Sequence, residues 1–190
     1  LGIEFLHHDV SSATAWEAVA TDVISHHGRI DVLVNNAGIL RGARLVNTSD
    51  DVWDQTVAIN QTGVFYGMRA VAPQMIEQES GSIVNISSVA GLEATFASMA
   101  YGATKWAVRG MTKIAALELG RHNIRVNSIH PGLINTDMTS EFNKERMARS
   151  IPMGREAEPS EVAAVALFLA SDDASYCSGQ EFTVDGGMHR

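Results

Sequence analysis

The sequence predicts an α/β fold in which helices cover both faces of a doubly wound parallel sheet. Two hydrophobic periods alternate along the whole chain, because short β-rich runs are separated by longer segments with helical spacing. The runs Val32-Leu33-Val34 and Ile83-Val84 are almost continuously apolar, which is typical of strands buried on both faces. Helices of this length between strands are crossover connections, and crossovers give a parallel sheet with helices on both sides.

The predicted elements follow in a regular order along the chain. Strands are predicted at residues 3–6, 32–35, 82–86, 124–129 and 181–184. Helices are predicted from a cap at Ser11 or Ser12 to about residue 27, from Ser49 through Met75, over 100–119, and over 159–170. Pro73 lies inside the second of these helices, where its missing N–H predicts a kink or a local break.

Length, composition and charge predict one globular domain over residues 1–190 and exclude several classes of protein. Hydrophobic residues make up 45% of the chain and charged residues 19%, as in an ordinary folded domain. The formal net charge of −8 disfavours nucleic acid as a partner. With one cysteine, Cys177, and no apolar run of about 20 residues, we expect no metal site, no membrane partner and a cytoplasmic location.

Polar residues follow the predicted strands at their carboxyl ends. Asp9 follows the first strand, Asn35-Asn36-Ala37-Gly38 the second, Ser87-Ser88 the third and Pro131-Gly132 the fourth. Ligands of parallel sheets bind beyond the carboxyl ends of the strands. The functional site is therefore predicted at this edge of the sheet.

Tyr101 and Lys105 are the candidates for proton transfer. They are four residues apart at the start of a predicted helix, so their side chains share one face. A free tyrosine has a pKa of about 10, and an ammonium group one turn away lowers it. Ser88 ends the preceding strand, where its hydroxyl can bind a substrate carbonyl. The pair alone is weak evidence, since a packed tyrosine beside an exposed lysine has the same spacing.

Taken together, these motifs resemble those of the short-chain dehydrogenase/reductases that carry Asn-Asn-Ala-Gly and Tyr-x-x-x-Lys. The resemblance covers essentially the whole chain and keeps the family's order and spacing. It implies a Rossmann-like, three-layer α/β/α domain and NAD(P)-dependent interconversion of a secondary alcohol and a ketone. The matching residues are Asp9, Asn35, Asn36, Ala37, Gly38, Asn60, Ser88, Tyr101, Lys105, Pro131, Gly132 and Thr136.

Four catalytic residues are implied by this resemblance. Tyr101 would be the general acid in carbonyl reduction and the base in alcohol oxidation. Lys105 would lower the pKa of Tyr101 and hydrogen-bond the nicotinamide ribose. Ser88 would position the substrate carbonyl, and Asn60 would hold a water that links Lys105 to solvent.

The resemblance also implies a cofactor site for NAD, with NADP as the alternative. Contacts to the adenine, the ribose, the pyrophosphate and the nicotinamide carboxamide would come from different strand ends. Two of the residues have structural alternatives, since Asp9 could cap a helix and Asn36 could satisfy the backbone of a turn. The implied cofactor-binding residues are Asp9, Val10, Asn36, Ala37, Gly38, Tyr101, Lys105, Pro131, Gly132, Ile134 and Thr136.

The family's Gly-rich phosphate-binding turn is not found in this sequence. In family terms Leu1 falls at the third of seven strands, so the first two strands and the residue that selects NAD or NADP are lacking. We therefore expect an N-terminally truncated form of a reductase of about 250 residues. The strand at 32–35 is then expected to have a bare edge.

The sequence is compatible with more than one substrate and with more than one role for the chain. Residues 101–110 and 124–132, with Trp106 and His130, resemble bacterial 3α(20β)-hydroxysteroid dehydrogenases, which implies an apolar alcohol or ketone. The alternative is a 3-oxoacyl-carrier-protein reductase, for which Arg41, Arg44 and Arg69 are scattered candidate contacts to the acidic carrier. A different class is a cofactor-free fragment that serves as an oligomerisation partner. In the family, the helices at 49–79 and 100–119 form dimers and tetramers.

One segment carries a separate structural prediction. Residues 137–152 mix methionines, a phenylalanine and an isoleucine with charged residues. The flexible methionine side chains suit a mobile lid over an apolar substrate. A plain amphipathic surface helix explains the same pattern.

Overall fold

The computed structural model describes residues 2–140 and 142–189 and contains one four-stranded parallel sheet. Its strand order is β1-β2-β3-β4, with Val32 opposite Ser82, Gly81 opposite Ile124, and Ser128 opposite Glu181. The strands are β1 (Val32–Asn35), β2 (Gly81–Ile86), β3 (Ile124–Pro131) and β4 (Glu181–Val184).

Six α-helices lie in the described part of the chain and cover both faces of this sheet. Helices α1, α3 and α4 pack on one face, and α6 packs on the other. The predicted three-layer, doubly wound α/β fold is confirmed. The helices are α1 (Ala13–His27), α2 (Asp50–Val57), α3 (Gly63–Gln78), α4 (Met99–Leu119), α5 (Lys144–Ala148) and α6 (Pro159–Ala170).

Two apolar clusters hold the layers together. The larger cluster joins Trp16 of α1 and Met75 of α3 to Ile83 and Val126 of the sheet. The smaller cluster packs Leu169 of α6 against the opposite face. Burying these side chains fixes the sheet between the helices and so fixes the positions of its carboxyl ends.

Local capping explains where the helices begin and end. The Ser12 hydroxyl accepts a hydrogen bond from the Ala15 N–H at the start of α1, and Ser49 caps α2 in the same way. Gly28 ends α1 with φ of 74°, a left-handed conformation that glycine adopts without a steric cost. The predicted caps and stops are therefore confirmed at these positions.

The strand predicted at residues 3–6 is wrong. These residues form no strand, and the side chains of Ile3 and Phe5 are 95% and 85% exposed. An apolar run becomes a strand only where a neighbouring strand satisfies its backbone, and the described residues supply none here. Within the same described ranges β1 pairs only with β2, and Val34 of β1 is 43% exposed.

The local break predicted as one outcome at Pro73 does not occur. Helix α3 runs through Pro73 without interruption, because the buried side chains of Val71 and Met75 anchor the helix on either side. The irregularity lies earlier, in a π-helical segment, Ala58–Thr62, between α2 and α3. Such segments insert one extra residue into a helix, and here the segment contains Asn60.

The region at 137–152 is not one continuous helix. It consists of a short 3₁₀ turn, Asp137–Thr139, and the five-residue helix α5, while Glu141 lies outside the described residues. Ile151 is buried and Met153 is exposed. Among the described helices, none combines the length and the apolar character that a membrane crossing needs.

Candidate active site

Ser88, Tyr101 and Lys105 come together where β2 ends and α4 begins. The backbone leaves β2 at Ile86, and Ser88 then starts a short 3₁₀ turn, Val89–Gly91. The first two turns of α4 carry Tyr101 and Lys105 toward this point. The Ser88 hydroxyl lies beside the Tyr101 phenol, close enough to lower its pKa. The sequence prediction that these three residues form one site is thus supported by their placement.

Lys105 is an ammonium group buried inside the protein. Its side chain is 4% exposed, and Nζ donates a 2.8 Å hydrogen bond to the Ile86 carbonyl. Burial lowers the pKa of Lys105 to about 8, because the charged form loses its hydration. Nζ lies 5.5 Å from the centroid of the Tyr101 ring.

The pKa of Tyr101 is shifted in the direction opposite to the one expected. Burial raises it above its usual value, and the Ser88 hydrogen bond opposes part of that effect. Desolvation dominates because Lys105 contacts the ring and directs its hydrogen bond to Ile86 instead of the phenol oxygen. Tyr101 is therefore a protonated phenol at neutral pH, and this form is a proton donor.

The two adjacent serines have different environments. The Ser87 hydroxyl is buried and donates a 3.0 Å hydrogen bond to the Lys105 carbonyl, which ties α4 to the end of β2. The Ser88 hydroxyl accepts from the Ala90 N–H at 3.1 Å and faces Tyr101. Of the two hydroxyls, the one beside the phenol is therefore that of Ser88, as the resemblance implied.

Asn60 is fully buried in the π-helical segment. Its amide makes two 2.8 Å hydrogen bonds to the backbone of Ile39 and one of 3.4 Å to the Thr104 hydroxyl. Thr104 in turn donates to the Tyr101 carbonyl at 2.8 Å. The Asn60 side chain therefore joins the loop after β1 to the first turn of α4.

A buried polar network that sequence reasoning missed supports the site from below. Asn35 donates to Asn85 at 2.9 Å, Asn85 donates to Thr112 at 3.0 Å, and Thr112 donates to the Val108 carbonyl. Asn35 can join this network because residues alternate along β1 and its side chain points inward. The side chain of Asn36 is exposed.

The loop after β1 could hold part of a cofactor. A Cβ on Gly38 would lie 3.3 Å from Asn60 Oδ1 and 3.7 Å from Lys105 Nζ, so this backbone sits directly beside the proposed catalytic groups. Asn36 and Ala37 are exposed at the same edge. These features fit the close backbone approach that a nicotinamide ribose requires.

The turn before α1 lines a cavity of about 150 Å³ at this edge. Val10 and Ala37 contribute to its walls, and His8 Nε2 is buried there with no hydrogen-bond partner among the described residues. A polar atom in that state fits a ligand that carries hydrogen-bonding groups, such as an adenine. The residues present are thus compatible with a dinucleotide.

Asp9 shapes the same turn and does not cap α1. Its carboxylate accepts hydrogen bonds from the hydroxyl and the N–H of Ser11 at 2.7 and 2.8 Å, and these bonds lower the pKa of Asp9. The cap of α1 is Ser12. The alternative of a helix-capping Asp9 is therefore wrong.

The loop after β3 forms another wall of the edge. The Gly132 N–H donates to the Val184 carbonyl at 2.9 Å, and a Cβ on Gly132 would lie 2.9 Å from Asp185, so the two loops are in close contact. Ile134 bridges to Ala157. Thr136 caps the turn Asp137–Thr139 and is exposed. Pro131 ends β3.

These features define a class of protein: a doubly wound α/β domain with a serine, a protonated tyrosine and a buried lysine at the carboxyl edge of its sheet. A family model described as enoyl-(acyl carrier protein) reductase matches residues 1–189. The chain belongs to the short-chain dehydrogenase/reductase family, and it is an NAD(P)-dependent oxidoreductase that interconverts an alcohol and a ketone.

Relatives with different substrates resemble the chain to a similar degree. It is 47% identical over 183 residues to the 3-alpha-(or 20-beta)-hydroxysteroid dehydrogenase of Mycobacterium bovis, with 96% of this chain and 70% of the relative covered. It is 49% identical over 173 residues to the 3-oxoacyl-(acyl-carrier-protein) reductase of Thermotoga maritima, with 90% and 70% covered.

A solved structure shares the fold closely. The gluconate 5-dehydrogenase from Burkholderia cenocepacia J2315, in complex with NADP and tartrate, matches with a TM-score of 0.92 and 34% identity. The match covers 95% of this chain and 73% of that chain. The Rossmann-like assignment is confirmed by this similarity.

Proposed function

We propose that Ser88, Tyr101 and Lys105 are the catalytic residues for reduction of an apolar, hydroxysteroid-like ketone and for the reverse oxidation. One observation carries the proposal: the Ser88 hydroxyl lies beside a half-buried, protonated Tyr101, and the Lys105 ammonium group lies against the same ring. A carbonyl oxygen placed between Ser88 and Tyr101 would accept hydrogen bonds from both hydroxyls.

The chemical step needs one proton from the protein. When bound, the nicotinamide cofactor supplies the hydride to the carbonyl carbon. Tyr101 donates its phenol proton to the carbonyl oxygen, so that the C=O group becomes a CH–OH group. Ser88 holds the carbonyl oxygen in line, and Lys105 stabilises the phenolate that Tyr101 becomes.

Reprotonation of Tyr101 completes the cycle. With a pKa of about 8, Lys105 can release and take up a proton near neutral pH. We assign Asn60 the role of holding a water between Lys105 and solvent. The π-helical backbone around Asn60 supports this role, because such segments disturb the regular helical hydrogen bonds.

The cofactor site in this proposal runs along the carboxyl edge of the sheet. Its residues are those at the ends of the strands and of the turn before α1, and NAD is the proposed cofactor, with NADP as the alternative. The related gluconate 5-dehydrogenase structure holds NADP. The proposed contacts are Asp9, Val10, Asn36, Ala37, Gly38, Tyr101, Lys105, Pro131, Gly132, Ile134 and Thr136.

An apolar substrate is supported by the surroundings of Ser88. A cavity of about 300 Å³ next to the Ser88 turn is lined by Leu45, Met99 and Trp106, five alanines and a glycine, and its polar lining residues are Thr95 and Ser98. Pockets for small molecules begin at about this volume and are mostly apolar. The related hydroxysteroid dehydrogenase of Mycobacterium bovis supports a steroid-like ketone in particular.

A 3-oxoacyl-carrier-protein substrate is the second candidate, supported by the Thermotoga maritima relative. An acidic carrier protein needs a basic docking surface, and the net charge of −8 opposes it. Arg44 stacks on Phe96 at 5.1 Å, and Arg69 stacks on Phe65 at 5.0 Å. Two of the three candidate arginines therefore contact aromatic rings on their own chain.

The remaining expectations belong to the same proposal. We propose a cytoplasmic homodimer or homotetramer formed through the exposed faces of α3 and α4, where Phe65 and Trp106 lie in solvent. We also propose a single dinucleotide-binding domain in which a further strand pairs with β1. The support is that β1 pairs only with β2 within the described residues, which leaves the backbone groups of its other edge open to a partner strand.

A two-by-two activity assay tests the proposed substrate class. NADH and NADPH are each mixed with the protein and either a 3-keto or 20-keto steroid or a 3-oxoacyl thioester, and oxidation of the nicotinamide is followed by absorbance. Steroid-dependent oxidation at a kcat/KM at least about tenfold above that of the thioester supports the proposal. The reverse preference would replace the first candidate by the second. Turnover of neither substrate would contradict both.

A further inference from the structure

His130 is a buried histidine that the proposed chemistry does not use. It lies near the end of β3 with no exposed surface. Nδ1 is 2.9 Å from the Ser88 carbonyl oxygen, and Nε2 is 2.9 Å from the Ser128 hydroxyl. The ring therefore bonds the turn after β2 through one nitrogen and its own strand, β3, through the other.

The geometry fixes the tautomer of His130. A carbonyl oxygen only accepts hydrogen bonds, so Nδ1 must carry the proton that is donated to Ser88. Nε2 of the neutral ring is then the acceptor, and the Ser128 hydroxyl donates to it. Burial lowers the pKa of His130 and keeps the ring neutral. Charged groups also face the ring: Glu181 of β4 raises this pKa, while Arg109 and Lys105 of α4 lower it.

The Ser88 carbonyl is held from two directions. The Gly91 N–H donates to it at 2.9 Å and closes the 3₁₀ turn, and His130 donates to it from the sheet. The last backbone hydrogen bond that joins this strand to β3 is from the Ser87 N–H to the Ile129 carbonyl at 2.8 Å. Beyond that point, His130 continues the link between the two strand ends.

We infer that His130 is a positioning residue, whose Nδ1–H bond to the Ser88 carbonyl holds the Ser88 hydroxyl against Tyr101. This inference rests on the proposed roles of Ser88 and Tyr101. Loss of the bond would let the turn after β2 move, which would lengthen the contact between the two hydroxyls. A displacement of about 1 Å at reacting groups lowers rates by up to about a hundredfold.

A matched pair of variants separates this bond from general packing. In His130→Asn the side-chain amide N–H can replace Nδ1 as the donor to Ser88. In His130→Gln the longer side chain reaches the place of Nε2 and leaves the Ser88 carbonyl without its second donor. Each variant keeps one of the two hydrogen bonds, so a purely structural role predicts equal losses of thermal stability and of activity.

Two measurements are made on wild type, His130→Asn and His130→Gln. The first is kcat and KM for ketone reduction, where we expect His130→Asn within about threefold of wild type and His130→Gln at least about tenfold lower in kcat with KM little changed. Equal kcat values for the two variants, or losses that follow their melting temperatures, would overturn the inference.

The second measurement does not need turnover. The phenol of Tyr101 is titrated by ultraviolet absorbance, as the difference between each protein and the same protein carrying Tyr101→Phe. Because the Ser88 contact lowers the pKa of Tyr101, we expect His130→Gln to raise it above the wild-type value and His130→Asn to leave it near that value. Identical titrations would overturn the inference. Absent turnover in wild type would contradict the proposed function, and this titration would still decide the role of His130.

Discussion

Replacing Lys105 by methionine measures the free-energy cost of burying an ammonium group at the site. The side chain is 4% exposed, and burial lowers the pKa of Lys105 from 10.5 to about 8. Between these two values the unfolded chain binds the proton more tightly than the folded protein does. The cost of burial is therefore fully present below about pH 8 and is relieved as the pH rises toward the unfolded value.

The size of the effect follows from these two pKa values. The free energy of unfolding of wild type should rise by about 2.5 kcal/mol from about pH 7 to about pH 10, measured relative to that of Lys105→Met. This figure follows from proton linkage with the two pKa values. The variant also loses the hydrogen bond to the Ile86 carbonyl. Any change in that bond as Lys105 loses its proton is already part of its folded-state pKa, so it adds no separate pH dependence to the difference.

Urea unfolding, followed by tryptophan fluorescence at several pH values across this window, measures the difference directly. Val108→Ala is the matched control, because Val108 is a buried residue without a titrating group on the same helix. Its difference from wild type should be constant with pH. If the difference between wild type and Lys105→Met were equally constant, the burial argument for Lys105 would be refuted.

Three further predictions concern the support of the site and its pH dependence. Asn85→Ala should lower the free energy of unfolding by about 2–4 kcal/mol, because it leaves the side chains of Asn35 and Thr112 without their buried partner. Urea titration measures this loss, and a value below about 1 kcal/mol would contradict the prediction. Gly91→Ala should destabilise the protein, since a Cβ there would lie 2.7 Å from the Lys105 carbonyl oxygen. Gly110→Ala in α4, where a Cβ would meet open space, should stabilise the protein by about 0.5–1 kcal/mol. Equal melting temperatures of the two variants would argue against the close contact at Gly91. The rate of alcohol oxidation should rise steeply with pH above neutrality, because oxidation needs the phenolate and the raised pKa of Tyr101 keeps the phenol protonated. The rate of ketone reduction, which uses the phenol, should stay level. A flat pH profile for oxidation would oppose this assignment.

Periodicity predicted the parts of the fold whose sequence pattern and environment agree. The apolar run at β2 is covered on both faces, since Ile83 and Val84 belong to the two apolar clusters on opposite sides of the sheet. The run at β1 pairs with β2 along one edge but leaves Val32 and Val34 exposed on one face. The same reasoning failed at residues 3–6. Their apolar content is typical of a strand, but the described residues contain no strand that pairs with them. It also failed near Asn60, because no propensity rule marks where a helix accepts an extra residue.

The sequence predicted which residues form the candidate site but not their environment. Spacing placed Tyr101 and Lys105 on one helix face, and the resemblance to short-chain dehydrogenase/reductases joined Ser88 to them as a catalytic set. The direction of the tyrosine pKa depends on burial, which the sequence does not give. Asn85 and His130 were assigned no role because their hydrogen bonds cross between elements far apart in the chain, as in the contact from His130 to Ser88.

The central claim is that Tyr101 supplies the proton in ketone reduction. The most direct test compares kcat for nicotinamide-dependent reduction in wild type, in Tyr101→Phe, and in Tyr176→Phe, which removes a fully exposed phenol. We expect Tyr101→Phe to lose about 10²- to 10⁴-fold in kcat with its melting temperature little changed, and Tyr176→Phe to match wild type. A Tyr101→Phe variant that keeps kcat within about threefold of wild type would contradict the claim.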